Sequence, residues 1–390
     1  MKKTFVLIFF ASILLWPACH KVQKSASNAT TEVIDGIEYI HNTETPMYPD
    51  KTVTFVEDLS LKGEDRDGNI ILYEPMLRLV DDQENVFLSE LKEGVIKVFD
   101  SNGEYVKTIG AQGNGPGEFQ QVSNLAELKD GRLIAFDSRA NRTSFFDSSG
   151  LFIKSFQWRM GYFSYILVKS SSYVVTERAF SGIIENPYFY VKEFDFDGNE
   201  VRFYGEFSMP ESLIIHYGNG TTYTGPPVSN HSLFAGDQDK EVFYHCMNNQ
   251  YLIEVYDSSG KLFRKIDRPY DPVPFTDQDA SEYRRTHDYP GMNEEVRRAI
   301  QNLKMPKVKS IVSRMYIDDK SNLWFHTREI KEEEGKTLTA FDIFNPDGYY
   351  YAKVWTDIVP QIFNKGKIYR IETDEDSGYR TLKRYNVIWN

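Results

Sequence analysis

The stretch DGRLIAFDSRANRTSFFDSSG, residues 130–150, contains two runs of alternating apolar residues separated by a polar turn. Alternation with a period of two is typical of a β-strand with one buried face. The ending Asp147-Ser-Ser-Gly150 is a hairpin signal, because the Asp side chain caps the turn and the Gly adopts the positive φ of a type I turn with a G1 bulge. The stretch therefore predicts two antiparallel strands and a tight turn into a third.

The hairpin ending of this stretch recurs along the chain. An aromatic residue, Asp or Asn, two further residues and Gly occur in five places: IKVFDSNG (96–103), TSFFDSSG (143–150), VKEFDFDG (191–198), IEVYDSSG (253–260) and FDIFNPDG (341–348). A second strand unit precedes each of these and occurs once more near the C-terminus, which gives six copies: ENVFLSE (84–90), GRLIAFD (131–137), SYVVTER (172–178), KEVFYHC (240–246), NLWFHTR (322–328) and GKIYRIE (366–372). Six units of four short antiparallel strands predict an all-β fold, a six-bladed β-propeller.

The two ends of the chain complement each other. The sixth unit ends in RTLKRYNVIWN, which leaves no room for a fourth strand, whereas residues 52–61, TVTFVEDLSL, form an alternating strand with no unit of its own. We predict that this N-terminal strand completes the sixth blade and closes a propeller over residues 49–390. A large β-sandwich, the alternative all-β fold, explains neither the sixfold count nor the strand that is missing at one end and surplus at the other.

The glycine-rich stretch GAQGNGPGEF, residues 110–119, lacks the following helix and the lysine of a phosphate-binding loop. Because it falls between the first and second units, we interpret it as the linker between two blades. We expect Phe119 to anchor this linker.

Part of the chain resembles a known repeat. Residues 110–150 are similar to the NHL-type propeller repeat, whose marked positions are occupied here by Asp137, Asn141, Arg142, Asp147 and Gly150. Over roughly residues 50–390 the chain resembles the six-bladed β-propeller lipoproteins of Gram-negative bacteria. The resemblance implies the fold and no single activity, since propellers include both binding proteins and enzymes.

The N-terminal sequence MKKTFVLIFFASILLWPAC combines two lysines with an apolar run from Phe5 to Leu15. This run is too short to span a membrane and is typical of a secretory signal. Cys19 follows a small residue, as in the lipobox of bacterial lipoproteins. We therefore expect a signal peptide over residues 1–18, a lipid on Cys19, a tether over residues 19–48, and attachment to the cell envelope, at the outer membrane. A plain signal peptide with an incidental cysteine is the alternative.

Composition narrows the range of partners. The chain has 57 acidic and 45 basic residues, a net charge of -12 and no basic block, which argues against nucleic-acid binding. Cys246 is the only cysteine besides Cys19, so the lipid-bearing chain forms no internal disulfide and must rely on an apolar core.

The long insertions are expected on one face. We call upper the propeller face that carries the connections between blades and the turns between second and third strands, and lower the face that carries the Asp-x-x-Gly turns. The insertions at 181–187, 205–230 and 267–309 are all predicted on the upper face, and loops of this length are often functional. The last insertion contains a helical pattern after Asn293, between blades four and five. We predict that residues 205–230 and 267–309 form a lid over a ligand site, with Tyr217, Tyr223, Arg284 and His287 as lid residues; a mere cover for a blade edge is the alternative.

Polar residues at the upper ends of strands are the candidate binding residues. They are Arg78, Asn124, Arg139, Arg178, His231, His245, Arg314 and His326. His245 and His326 hold corresponding positions in blades four and five, so they are expected to be neighbours. With Glu177 they would share one column of the repeat, but polar strand ends are more often solvated, and we predict neither a metal site nor a cofactor.

These features favour a monomeric, lipid-anchored propeller that binds a small molecule, carbohydrate, peptide or cell-envelope protein on its upper face. The alternative is an enzyme, a lyase or hydrolase, with a His, Arg and Glu site in the same funnel. No Gly-x-Ser-x-Gly or His-Glu-x-x-His motif supports a particular reaction. A third possibility is an assembly scaffold, which would need an apolar patch on the rim or the lower face.

Overall fold

The computed structural model of the chain describes residues 29–63, 72–158, 164–178, 187–218, 220–373 and 378–390. The predicted signal peptide, Cys19 and the first part of the tether lie outside these residues, as does most of the insertion at 181–187.

The six predicted blades are confirmed, each built on four antiparallel strands around a common channel. The chain begins with β1 (Thr30–Ile34), β2 (Ile37–His41) and β3 (Val53–Leu61). Blade one contains β4 (Pro75–Val80), β5 (Val86–Glu90), β6 (Val95–Phe99) and β7 (Tyr105–Ile109). After the short linker strands β8 (Ala111–Gln112) and β9 (Glu118–Phe119), blade two contains β10 (Val122–Glu127), β11 (Leu133–Asp137), β12 (Arg142–Phe146) and β13 (Phe152–Gln157). Blade three contains β14 (Ser164–Val168), β15 (Ser172–Arg178), β16 (Tyr188–Asp195) and β17 (Glu200–Ser208).

The second half repeats this order with two insertions. A hairpin of β18 (Leu213–Tyr217) and β19 (Gly220–Thr224) precedes blade four, which contains β20 (Ser232–Asp237), β21 (Val242–Met247), β22 (Leu252–Tyr256) and β23 (Leu262–Asp267). Two helices follow, α1 (Asp277–Thr286) and α2 (Glu294–Gln301). Blade five contains β24 (Val312–Ile317), β25 (Leu323–Glu333), β26 (Lys336–Phe344) and β27 (Tyr350–Thr356). Blade six contains β28 (Ile362–Asn364), β29 (Lys367–Thr373), β30 (Arg380–Trp389) and, from the N-terminus, β3.

The N-terminal strand closes the ring as predicted. β3 pairs antiparallel with β30, from Val53 opposite Trp389 to Leu61 opposite Leu382. Beyond the strands, the backbone N–H of Asn390 donates to the carbonyl of Thr52 at 3.0 Å. The edge that the sixth blade would otherwise present to solvent is therefore paired.

The lower turns have the predicted chemistry. The Asp147 Oδ1 accepts the backbone N–H groups of Ser149 and Leu151, both at 2.9 Å, and Gly150 has a φ of +93°. Asp100, Asp195, Asp257 and Asn345 accept the corresponding N–H groups in their own turns. A register shift next to each turn marks the expected bulge. The same local sequence thus produces the same turn in five blades.

The glycine-rich linker crosses between blades one and two, as predicted. Phe119 is fully buried among residues of both blades. Gly110 has a φ of +80°, and a Cβ there would lie 2.5 Å from the Phe119 ring. Arg142 Nη1 donates to the carbonyl of Asn114 at 2.7 Å, which ties the linker to β12.

The structure differs from the prediction in part of the tether. The residues of β1 and β2, within the segment expected to be a tether, form a hairpin, and β2 pairs parallel with β23 so that blade four has six strands. The physical reason is local: Ile40 is 1 % exposed beside Ile266, and the Asn42 side chain donates to the Gly348 carbonyl at 3.1 Å. These contacts hold the chain against blades four and five.

The second and third insertions pack on one another. Ile215 of β18, Met292, and Val296 and Ile300 of α2 form a small apolar core away from the blades. The structure adds α1 to the single helix that the sequence predicted, and α1 begins with a capping box between Thr276 and Asp279. No helix among the described residues is long and apolar enough to cross a membrane.

Candidate functional site

The upper half of the central channel contains a cavity of about 480 Å³. It is lined at the upper ends of the innermost strands β4, β10, β24 and β28, and by the facing ends of β29 and β30. Three of the residues predicted from the sequence line it together: Arg78, Asn124 and Arg314. The repeat places all three near the start of an innermost strand, and their side chains therefore converge on the axis.

The side chains that line this upper cavity are, among the described residues, basic or neutral. Arg380 joins Arg78 and Arg314, and the neutral polar side chains that line the cavity are Ser123, Asn124, Gln361 and Thr373. No carboxylate and no aromatic side chain lines it among the described residues. Guanidinium groups donate in a planar fork that matches a carboxylate or phosphate group, so the cavity can bind an anion with several hydrogen-bonding groups.

Arg78 separates two parts of the channel. Its Nε donates to the Ser89 hydroxyl at 2.8 Å, and its side chain is half-buried. The residue lines both the upper cavity and a second cavity at the lower end of the channel.

His326 makes its contacts inside blade five. Its Nδ1 lies 2.8 Å from the Ser313 hydroxyl, its Nε2 lies 2.7 Å from the Thr339 hydroxyl, and its ring stacks on Phe341 at 4.4 Å. Burial, with the nearby guanidinium groups of Arg328 and Arg314, lowers the pKa of His326 to about 4. The imidazole is therefore neutral at physiological pH, and both nitrogens are used.

His245 belongs to a separate hydrogen-bonded chain in blade four. Its Nε2 lies 3.0 Å from the Ser232 hydroxyl and its Nδ1 lies 3.0 Å from Glu254 Oε2. His245 makes no hydrogen bond or ring contact with His326, so the expected pair of neighbouring histidines is not formed. The second strand of a blade lies behind the first, and on it the His245 ring packs against Phe207 of blade three and Phe234 of β20. Among the described residues, no group of three or more His, Cys, Asp or Glu side chains could hold a metal ion.

His231 lies on the upper side between blades four and five. Its Nδ1 is 3.1 Å from the Asn248 Nδ2, and the Asn248 Oδ1 accepts its backbone N–H. Burial and the Arg328 guanidinium lower the pKa of His231, although the Ser229 carbonyl acts in the opposite direction. This histidine does not line the upper cavity.

The remaining predicted residues lie elsewhere on the upper side. Arg139 is exposed in the turn after β11, and Arg178 lies at the end of β15. Of the predicted lid residues, Tyr217 packs against the apolar core of the insertions, Tyr223 is 48 % exposed and Arg284 lies in α1. The His287 ring stacks on Tyr283 at 4.1 Å. None of these residues lines the upper cavity.

Sequence reasoning missed the contribution of blade six to the cavity. Gln361 directly precedes β28, Arg380 begins β30, and Thr373 ends β29. The signal was present, because these positions in the sixth unit correspond to upper strand ends in the other units.

Comparisons with known proteins agree with the fold. A family model described as a 6-bladed beta-propeller, DUF5128, matches residues 76–210, which span blades one to three. No curated protein matches the chain.

The chain is also similar to solved structures, and the first of them matches over most of its length. A member of the DUF4221 family from Bacteroides vulgatus is 11 % identical, with a TM-score of 0.53, over 87 % of this chain and 98 % of that one. A protein of Bacteroides fragilis that is described as exported is 10 % identical, with a TM-score of 0.47, over 90 % of this chain and 99 % of that one. Virginiamycin B lyase of Staphylococcus aureus is 11 % identical, with a TM-score of 0.38, over 86 % of this chain and 99 % of that one. At such low identity the similarity to the Bacteroides vulgatus protein bears on the fold alone, and with the family match it agrees with a six-bladed β-propeller.

Proposed function

We propose that the protein binds a carboxylate-bearing oligosaccharide in the upper cavity. The observation that carries this proposal is the set of three guanidinium groups, from Arg78, Arg314 and Arg380, in a cavity whose lining contains no carboxylate among the described residues. The protein as a whole is acidic, with a net charge of -12, and this cluster of guanidinium groups favours an anionic ligand at the cavity.

The neutral lining residues suit the rest of such a ligand. Ser123, Asn124, Gln361 and Thr373 offer hydroxyl and amide groups, which match the hydroxyl groups of a sugar. The cavity volume of about 480 Å³ lies within the range of small-molecule sites.

The test measures binding of uronic-acid oligosaccharides by calorimetry, with neutral oligosaccharides and acidic peptides as competing probes. We expect Arg314→Gln to weaken binding about tenfold, because a charge-assisted hydrogen bond is lost. Arg139→Gln is the matched control, since Arg139 is an exposed arginine of the same face that does not line the cavity. The proposal would be contradicted if neutral oligosaccharides bound as tightly as uronic-acid oligosaccharides, or if Arg314→Gln and Arg139→Gln weakened binding equally. Tighter binding of the acidic peptides would show that the ligand is a peptide and not an oligosaccharide.

We further propose that the protein is exported and held at the cell envelope by a lipid on Cys19. The support is the N-terminal sequence, with its two lysines, its short apolar run and Cys19 after a small residue. Membrane fractionation of Cys19→Ser tests this location, and unchanged partition of the variant would exclude lipid anchoring.

A second candidate function is hydrolysis, which one observation favours. Ser232, His245 and Glu254 form a hydrogen-bonded chain in the order of a nucleophile, a base and an orienting carboxylate. However, Ser232 is 5 % exposed and His245 is 8 % exposed, so we expect a fluorophosphonate probe to leave the protein unlabelled. Labelling that is lost in Ser232→Ala would favour the hydrolase.

A further inference from the structure

The lower end of the channel contains a second cavity of about 600 Å³. It lies between the lower ends of the innermost strands of blades one, two, four, five and six. Seven carboxylate side chains line it, against three cationic ones. Blade one supplies Asp81 and Asp82, blade two supplies Glu127, and blade four supplies Asp237 and Asp239; a pair of aspartates from blade five completes the set. The rest of the wall is largely apolar, with Leu, Val, Ile and Phe side chains.

The cationic side chains of this lower cavity have other partners. Arg78 donates to Ser89, and Lys129 Nζ lies 3.1 Å from Glu241 Oε1. The Lys365 ammonium donates to the backbone carbonyl of Asp82 and not to a carboxylate. The seven carboxylates outnumber these three cations, and Lys129 is paired with a carboxylate outside the cavity, so the lining keeps a net negative charge.

Two of the carboxylates accept hydrogen bonds within their own turns, which explains why they are acidic residues. Asp81 accepts the N–H groups of Gln83 and Asn85 through Oδ1 and the Asn85 side chain through Oδ2. Asp318 does the same in blade five, where its Oδ2 accepts from Asn322 and from the Trp324 indole, both at 2.9 Å. Both oxygens of each residue are satisfied, so neither needs a ligand.

Asp237 is different. It is 3 % exposed, and its Oδ1 accepts the backbone N–H groups of Asp239 and Lys240 at 3.1 Å, whereas its Oδ2 has no hydrogen-bond partner among the described residues. The same four-residue turn follows Asp137, where the second oxygen accepts the N–H of Gln120 at 2.6 Å. A buried carboxylate oxygen without a partner costs free energy, and Asp237 lines the cavity. This observation is independent of the number of acidic residues and indicates a missing donor.

The pKa of Glu127 is affected by the negative charges inside the cavity. Burial, together with the charges of Asp81 and Asp82, raises the pKa of Glu127 to about 7. A cation bound beside it would favour the charged carboxylate.

We propose that the lower cavity binds a linear organic polycation, whose ammonium groups are held by Asp82, Glu127, Asp237 and Asp239. A single metal ion does not fit, because no three of the described carboxylates are grouped closely enough to coordinate one. Methylene segments between the ammonium groups would lie against the apolar wall. Asp237 Oδ2 is itself buried, so the side chain must turn toward the cavity before an ammonium group can supply the donor that this oxygen lacks. This site lies at the opposite end of the channel from the oligosaccharide cavity and does not depend on it.

The test uses spermidine as the probe in calorimetry with the full chain. We expect Glu127→Gln combined with Asp239→Asn to weaken binding about tenfold or more, because charge-assisted hydrogen bonds are lost. Asp347→Asn is the matched control: Asp347 is an exposed aspartate of the same face, outside the cavity, and its loss should change the dissociation constant less than about twofold. Unfolding curves of each variant confirm that the fold is retained.

Three results would overturn the proposal. One is absence of spermidine binding by the wild-type chain at millimolar concentration. Another is an equal loss in Asp347→Asn, which would indicate general attraction to an acidic protein. The third is displacement of spermidine by equimolar Ca²⁺ or Mg²⁺, which would indicate a metal site. Spermidine binding by Arg314→Gln, expected to be unchanged, separates failure of this site from failure of the upper one.

Discussion

Asp342 shows how one residue joins several parts of the molecule. It is fully buried and accepts hydrogen bonds from the hydroxyl groups of Tyr251 and Tyr350, both at 2.6 Å, and from Arg268 Nη2 at 2.5 Å. Arg268 is itself nearly buried, and its guanidinium lies 4.7 Å from the centre of each of the two tyrosine rings. The carboxylate is thus the counter-ion of a cation that is almost entirely shielded from solvent.

We predict that Asp342→Asn destabilises the protein by about 3–5 kcal/mol, because it leaves the Arg268 charge buried without a counter-ion. Urea unfolding measures the change. The control is Asp347→Asn, an exposed aspartate in the turn that follows, which should stay within about 0.5 kcal/mol of wild type. A similar effect of both substitutions would argue against the buried pair.

At the scale of single residues, the sequence predicted positions better than contacts. Arg78, Asn124 and Arg314 meet because each lies on an innermost strand, and the repeat alone defines which strand that is. The histidines of β21 and β25 do not meet, because the strand in front of each encloses it and Ser232 and Ser313 occupy their ring nitrogens. The segments MLRLVDD and SRMYIDD each end in a pair of aspartates, and the repeat places both pairs on the lower face. The sequence therefore indicated the acidic residues of the lower cavity, but only the fold shows that they line one cavity.

Among the elements, the hairpin of β1 and β2 is held to blade four by an ionic contact. His41 Nδ1 lies 2.9 Å from Asp267 Oδ2, and His41 Nε2 lies 3.2 Å from Glu32 Oε1. Burial lowers the pKa of His41, but the carboxylates of Glu32 and Asp267 outweigh it, so the pKa is raised above its ordinary value of 6.5.

We predict that attachment of this hairpin weakens as pH rises. Because the folded-state pKa of His41 is above 6.5, the stabilisation is complete below that pH and is lost as the pH passes through the folded-state value. Amide hydrogen exchange in β1 and β2 measures it. In His41→Gln the protection should be lower in acid and show no such dependence, whereas His216→Gln, at an exposed histidine without a carboxylate partner, should behave as wild type. Protection of the wild-type hairpin that is independent of pH would contradict the prediction.

The elements also show why the insertions were harder to predict than the blades. Blade strands repeat, so six copies reinforce one pattern. α1 occurs once and has Ala280 as its only buried residue, so it carries almost no apolar periodicity. α2, with Val296 and Ile300 buried, was recognisable by its spacing.

For the whole molecule, closure of the ring by β3 is the feature on which the other blades depend. The pairing of β3 with β30 joins the N-terminal part of the chain to its C-terminal strand, whereas the four antiparallel strands of each other blade are consecutive in the sequence.

We predict that a variant lacking all residues through Leu61 loses cooperative unfolding and self-associates, because β30 then presents an unpaired edge. A variant lacking residues only through His41 is the control, since it removes the hairpin on blade four and leaves the ring closed. Sedimentation velocity and urea unfolding distinguish the two. A monomeric, cooperatively unfolding protein after the longer deletion would show that closure is dispensable.

The position of β3 also sets the order of events during folding. Its Thr54 hydroxyl contacts Asn390, a residue 336 positions further along the chain, so the sixth blade has no complete set of strands until the last residues are available. Contacts of such long range form late, after the entropy of a very large loop has been overcome. During synthesis β3 must therefore wait unpaired, and this interval is when the chain depends most on protection from aggregation.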